Sequence, residues 1–147
     1  MSRPLENLGL AIKKIQWRHH RAADTELQAL GISLVQWNAL REMERNPGSS
    51  ARRLSELTFN SDQAFGTLTT RLQRLGFVER FPGPGRANTH HLTRAGKAIL
   101  AKGQAVLDRV LSASFASLSR EERAILSQLL DKLLAQPLDG GDRSREE

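Results

Sequence analysis

Residues 51–93 read ARRLSELTFNSDQAFGTLTTRLQRLGFVERFPGPGRANTHHLT. A short helix is expected from about Ala51 to Thr58, with Leu54 and Leu57 turned inward. Asn60 or Ser61 then stands where an N-cap is needed for a second helix, which Gly76 ends. In that second helix Phe65, Leu68, Leu72 and Leu75 recur at spacings of 3 and 4, the period of one buried stripe. Phe77 to Phe81 and Ala87 to Leu92 are strand-like, and Pro82-Gly83-Pro84-Gly85 between them is a turn, with Arg86 near its tip. Two short helices, a polar turn and a hairpin make the shape of a winged helix-turn-helix. The face opposite the apolar stripe carries Gln63, Gly66, Thr67, Thr70, Arg71 and Arg74. Small and hydrogen-bonding side chains followed by arginines suit a helix that lies close to base edges and then touches phosphates.

Charge sharpens this reading. The chain carries 22 Lys+Arg against 16 Asp+Glu, a net of +6, spread unevenly. Residues 49–97 hold eight basic and three acidic side chains, whereas residues 98–147 hold seven and eight. A basic module beside a near-neutral remainder is the footprint of a polyanion-binding surface. Five Phe, two Trp and no Tyr leave few stacking platforms for single strands, so duplex is the expected nucleic acid. Zero cysteines exclude a disulfide framework and thiolate chemistry. No run of about 18 apolar residues is present, and Met1 to Leu10 lacks a signal-peptide pattern; the expectation is a cytoplasmic protein with no membrane partner.

Outward from this module, a first helix is expected from about Leu5 to Leu30, closed by Gly31, with Leu5, Leu8, Ile12, Ile15, His19 and Ala22 along one narrow seam. Ser33 and Gln36 form a capping box for a second helix that ends before Asn46-Pro47-Gly48 and buries Trp37, Leu40 and Met43. Thr93 caps a long helix in which Ile99, Gly103, Val106, Val110 and Leu111 share a face. Ser119 and Glu122 open a last helix striped by Ile125, Leu126, Leu129, Leu130, Leu133 and Leu134. The fold class is therefore mainly α with a small β-hairpin wing: a winged helix-turn-helix over 31–94, helical regions 1–30 and 95–136 that form a homodimer interface, and a disordered polar tail over 137–147. The alternative to a dimer is an intramolecular hairpin of the terminal helices.

The arrangement resembles the MarR family of bacterial transcription regulators over essentially the whole folded chain. Leu30-Gly31-Ile32-Ser33 with Gln36-Trp37 is similar to the entry to that family's second helix. Arg71-Leu72-Gln73-Arg74-Leu75-Gly76-Phe77-Val78-Glu79-Arg80 is similar to the end of its recognition helix and its first wing strand. Leu92-Thr93-Arg94-Ala95-Gly96 is similar to the segment that leaves its wing. The resemblance implies a homodimer on a pseudo-palindromic operator, a repressor more often than an activator, with DNA read by the fourth helix and wing. It also implies a small aromatic or phenolic effector that releases DNA. On this reading Gln63, Gly66, Thr67, Thr70, Arg71, Arg74, Arg86 and Arg94 contact DNA. Two positions depart from the pattern: Pro84 stands where the family's wing carries an aspartate that helps hold the arginine matched by Arg86, and Thr67 stands where relatives often have arginine.

The resemblance places an effector between the dimer helices and the winged module, where Trp17, His19, Trp37 and Arg41 offer aromatic walls and a cation. The competing reading of both tryptophans is core packing. His19-His20 and His90-His91 are adjacent pairs whose members point to different faces, which gives no chelate, and neither a metal nor another cofactor is expected. There is no cysteine nucleophile, phosphate loop or G-x-S-x-G, so no enzyme is expected. The competing function is a winged-helix protein-interaction module that does not read DNA.

Overall fold

The computed structural model describes residues 2–83, 85 and 88–138. In chain order these form α1 (Pro4–Ala29), α2 (Leu34–Arg45), α3 (Ala51–Leu57), α4 (Asp62–Arg74), β1 (Val78–Pro82), β2 (Asn88–Leu92), α5 (Arg94–Phe115) and α6 (Arg120–Ala135). The caps act where the sequence provides them. Ser33 and Gln36 close a reciprocal capping box, as do Ser119 and Glu122, while Ser50, Ser61 and Thr93 each accept a backbone N–H at the third helical position. The Ser119 hydrogen bonds hold the Glu122 carboxyl below its ordinary range. Gly76, at φ +79, lets α4 end in a paired reversal: its N–H reaches the Gln73 carbonyl at 3.0 Å and the Phe77 N–H reaches the Leu72 carbonyl at 3.0 Å.

That reversal explains one difference from the sequence reading. The Phe77 N–H is spent on the helix end and its carbonyl accepts the Thr93 N–H, so β1 begins at Val78. Pro82 belongs to the strand rather than to the turn: it pairs with Asn88 at the far end of the ladder, where a missing N–H is tolerated. Leu75 is a second correction. It is the α4 C-cap, 46% exposed, and Thr69 is buried instead, beside Phe65 and Leu72. Spacings of 4 and 3 from Phe65 select Thr69 and Leu72; residue type drew the sequence reading to the leucine.

One core serves the molecule. Ala23 and Leu27 of α1, Trp37, Ala39, Leu40 and Met43 of α2, Leu54 of α3, Phe65 and Leu72 of α4, Val78 of β1, and Ile99 and Val106 of α5 are buried together. Trp37 is 1% exposed, and its Nε1 donates to the Leu100 carbonyl at 3.1 Å. Gly103 lies against that indole, and a methyl in its place would overlap Trp37 Nε1 and Cδ1. Gly96 lies against the Phe77 carbonyl in the same way, so the start of α5 packs directly on the hinge between α4 and β1.

The two ends of the chain contribute little to this core. α1 buries only Ala23 and Leu27, leaving Leu5, Leu8, Ile12 and Ile15 exposed; α6 buries none of its residues and exposes Ile125, Leu129, Leu130, Leu133 and Leu134. α6 therefore does not fold back into an intramolecular hairpin. Most of the expected tail, residues 139–147, lies outside the described residues.

Candidate nucleic-acid interface

The helix-turn-helix is locked by one buried hydroxyl. Ser55, on the inner face of α3, has its Oγ 2.8 Å from the Asp62 carboxylate at the start of α4 and 2.7 Å from the Arg52 carbonyl. The side chains of α4 then divide as the sequence predicts: Gln63, Gly66, Thr67, Thr70, Arg71 and Arg74 are all exposed. Two of the threonines are partly committed. Thr67 Oγ1 donates to the Gln63 carbonyl at 3.2 Å and Thr70 Oγ1 to the Gly66 carbonyl at 3.0 Å. With the proton used inside the helix, each hydroxyl faces outward as an acceptor, and each methyl as an apolar contact. Gly66 has open space around it, so no packing within the chain requires a glycine there.

Arg71, Arg74 and Arg94 are exposed and pair with no carboxylate among the described residues, whereas Arg41, Arg52, Arg53 and Arg109 each have an acidic partner. Such exposed guanidinium groups are available to phosphates. Arg80, on β1 opposite His90, is a further exposed arginine of the wing without an acidic partner among the described residues. It shares the face of the buried Val78 two residues before it, so alternation along β1 gives no sign of its exposure, and the register that sets it beside the buried His90 has no local signature. Pro84 and Arg86, the wing positions singled out in the sequence, lie outside the described residues.

The wing is fastened to α4 through His90. This side chain is 5% exposed, its ring meets Phe65 edge-on at 6.4 Å, and neither ring nitrogen has a hydrogen-bond partner among the described residues. Burial, then the Arg80 charge and His91, push its pKa below the ordinary 6.5. The folded state therefore holds His90 neutral while the unfolded chain accepts a proton at about pH 6.5, so stability is full above that pH and falls as pH drops through it towards the folded value. Thermal melts at pH 7.5 and 5.5 should show this loss, and His90→Leu should flatten it; an equal pH dependence in the variant would remove His90 as the cause.

The four candidate effector residues do not converge within the protomer. Trp37 is core, with the Arg41 guanidinium 5.2 Å over its ring. Trp17 is 55% exposed and stacks on His20 at 5.7 Å. His19 reaches Ser114 Oγ at 2.5 Å and meets Phe115 edge-on, joining α1 to the far end of α5. Ser114 is about 21 Å along α5 from the Leu100 carbonyl that Trp37 uses. His19 instead lines a cavity of about 410 Å³ between α1 and α5, with Arg18, Glu26, Arg109 and Ser114. A second depression, of about 290 Å³, lies between α2 and α4 and includes Gln36, Asn60, Thr67 and Arg71. No three His, Asp or Glu side chains among the described residues are grouped to hold a metal. None of the described helices is long and apolar enough to cross a membrane.

Comparison with known proteins points the same way. The family model described as "MarR family" matches residues 30–87, which span α2 to the wing. The HTH-type transcriptional repressor Mb2911 of Mycobacterium bovis is 28% identical over 109 residues, covering 73% of this chain and 78% of the relative. A probable transcriptional regulator from Pseudomonas aeruginosa superposes with a TM-score of 0.76 at 26% identity, covering 89% of this chain and 99% of that one. Over residues 30–87, from α2 into the wing, the chain matches the MarR family. Two further MarR structures were solved with bound molecules. MarR from E. coli, solved with operator DNA, has a TM-score of 0.81 at 24% identity over 89% of this chain and 96% of its own. The Mycobacterium tuberculosis MarR family protein Rv2887, solved with salicylic acid, has a TM-score of 0.70 at 25% identity over 86% and 95%.

Proposed function

We propose that this protein is a MarR-family, homodimeric, double-stranded-DNA-binding repressor that reads a pseudo-palindromic operator in the cytoplasm. The observation that carries the reading is the outer face of α4, where Gln63, Gly66, Thr67 and Thr70 stand free of packing and the unpaired Arg71 and Arg74 follow them. Duplex is the polyanion that such a face fits: hydrogen-bonding side chains for base edges at the N-terminal half, cations for phosphates at the C-terminal half. Operator DNA bound to a relative of the same fold supports it. Residues 31–94 form the reading module, with residues 1–30 and 95–136 pairing two copies. Arg94, exposed at the first turn of α5, adds a backbone contact, and Arg86 on the wing enters an A·T-rich minor groove, where the narrow groove concentrates negative potential.

Alanine at Gln63 or Thr67 should change site preference, at about 1–3 kcal/mol per lost base contact, whereas Arg74→Ala should weaken every duplex alike and flatten the salt slope. Titrations on selected and random duplexes at several salt concentrations measure both effects. Equal losses on both duplexes for all three variants would refute the division of roles. A wild type whose binding is insensitive to salt would indicate a protein-interaction module instead.

A small aromatic anion releases the DNA in this reading. Its place is the α1–α5 cavity, where Arg18 supplies a cation, His19 and Ser114 supply polar atoms, and Arg109 is paired with Glu26. The Rv2887 complex with salicylic acid supports the ligand class.

A further inference from the structure

Phe59, in the turn between α3 and α4, carries two costs with no return inside the chain. Its side chain is 97% exposed, and its backbone lies at φ +59, the sole positive φ at a non-glycine position among the described residues. Left-handed backbone is disfavoured for a residue with a bulky side chain, and an aromatic ring in water loses the burial that residues of its kind usually contribute. The turn itself is tightly tied. The Phe59 N–H donates to the Glu56 carbonyl at 3.1 Å, the Asn60 N–H to the Ser55 carbonyl at 2.9 Å, and the Asn60 amide to Thr58 Oγ1 at 2.9 Å. These bonds use backbone and neighbours, so glycine or asparagine at position 59 would make the same turn with less strain. A strained, solvent-exposed ring held in one place by its neighbours is the signature of a contact made outside the protomer.

The position of the turn selects the partner. Phe59 sits three residues ahead of Asp62, the first residue of α4, beside the end of the helix whose first turns carry Gln63 and Gly66. The exposed residues of the first turns of α4 are Asp62, Gln63, Ala64, Gly66 and Thr67, with the cations Arg71 and Arg74 in its last turns, and residues 49–97 carry an excess of positive charge. A ring beside such a surface fits the one apolar group that a major groove displays, the C5-methyl of thymine. We propose that Phe59 packs on a thymine methyl at the edge of each half-site and so contributes to operator choice. This rests on the DNA reading of α4 above.

The experiment selects duplexes from a random pool with the full-length wild type, then replaces each thymine of the selected half-site by deoxyuridine, which removes only the methyl. Phe59→Asn should raise the melting temperature by about 2–4 °C, through release of backbone strain. The same variant should bind the selected duplex about tenfold more weakly. At one thymine per half-site, loss of the methyl should weaken the wild type by a similar factor and leave Phe59→Asn unchanged. Phe59→Leu, which keeps an apolar side chain, should retain part of the preference. Phe59→Asn binding as tightly as wild type, or the same response to deoxyuridine in both proteins, would overturn the contact while leaving the DNA reading intact. Unchanged binding with lost repression of a reporter would assign the ring to a protein partner and overturn the contact as well. A wild type that selects no duplex would remove the DNA reading, and this contact with it.

Discussion

Removal of residues 119–147 should abolish tight operator binding and leave an insoluble or monomeric product. α6 contributes nothing to the protomer core, yet Ile125, Leu129, Leu130, Leu133 and Leu134 are exposed along it, and Leu5, Leu8, Ile12 and Ile15 along α1. Each such side chain gains roughly 1.5–3 kcal/mol on full burial, so pairing these helices across a two-fold axis supplies enough to hold two copies together after the cost of association. A monomer reads one half-site only. Losing the second, tethered half-site typically costs a factor of about 10²–10⁴ in affinity without touching any residue that contacts DNA. Leu129→Arg with Leu133→Arg, which keeps the helix and changes only its apolar stripe, should reproduce the effect without deleting chain. Analytical ultracentrifugation with a duplex titration reads both quantities. A soluble monomer that still binds the operator tightly would sink the dimer.

Gly103→Ala should be strongly destabilising. The added carbon overlaps the edge of the Trp37 ring and comes within 3.0 Å of Leu27 Cδ2, so the indole has to move. Overpacking of this kind costs about 1–3 kcal/mol. Displacing the ring also detaches Nε1 from the Leu100 carbonyl, and a buried N–H without a partner costs about 1–3 kcal/mol more. Alanine returns about 1 kcal/mol of helix propensity, leaving a net loss of roughly 3 kcal/mol, equivalent to a fall in Tm of roughly 10 °C. Gly66→Ala is the control: with open space at that position, it should gain about 1 kcal/mol. Urea or thermal melts of the two variants would show the contrast. Equal stability in both would mean that the indole has room to give.

The caps explain why so much of the fold was legible. Ser33, Ser61, Thr93 and Ser119 announce helix starts by chemistry that acts over three residues, and Gly31 and Gly76 announce ends by a backbone conformation that few residues share. Signals of that range survive in any tertiary setting. The misses fall where the deciding partner is distant. Trp37 looked available as an effector wall because nothing nearby in sequence shows that Leu100, 63 positions on, takes its N–H. The outward face of α4 follows from helical period alone, so its residues were nameable. That the hydroxyls of Thr67 and Thr70 turn back to their own helix was not, since it depends on rotamers. Phe59 escaped notice because nothing in the residue order distinguishes a strained exposed phenylalanine from an ordinary turn residue.

The glycine contacts of α5 give that helix a mechanical character. It is 22 residues long, about 33 Å, and it is seated close to its wing end, at Gly96 on the α4–β1 hinge and at Gly103 on the Trp37 ring. Two backbone-close seatings separated by seven residues make a short, stiff bearing, and the arm beyond it is tied to α1 by Arg109–Glu26 and His19–Ser114. A tilt of about 6° in that bearing sweeps the far end of the arm through roughly 3 Å, close to the rise of one base pair. In the dimer proposed above, the fit of this bearing would set the tolerance on the distance between two reading heads, and loosening the indole would trade that gauge for the freedom to accept other spacings.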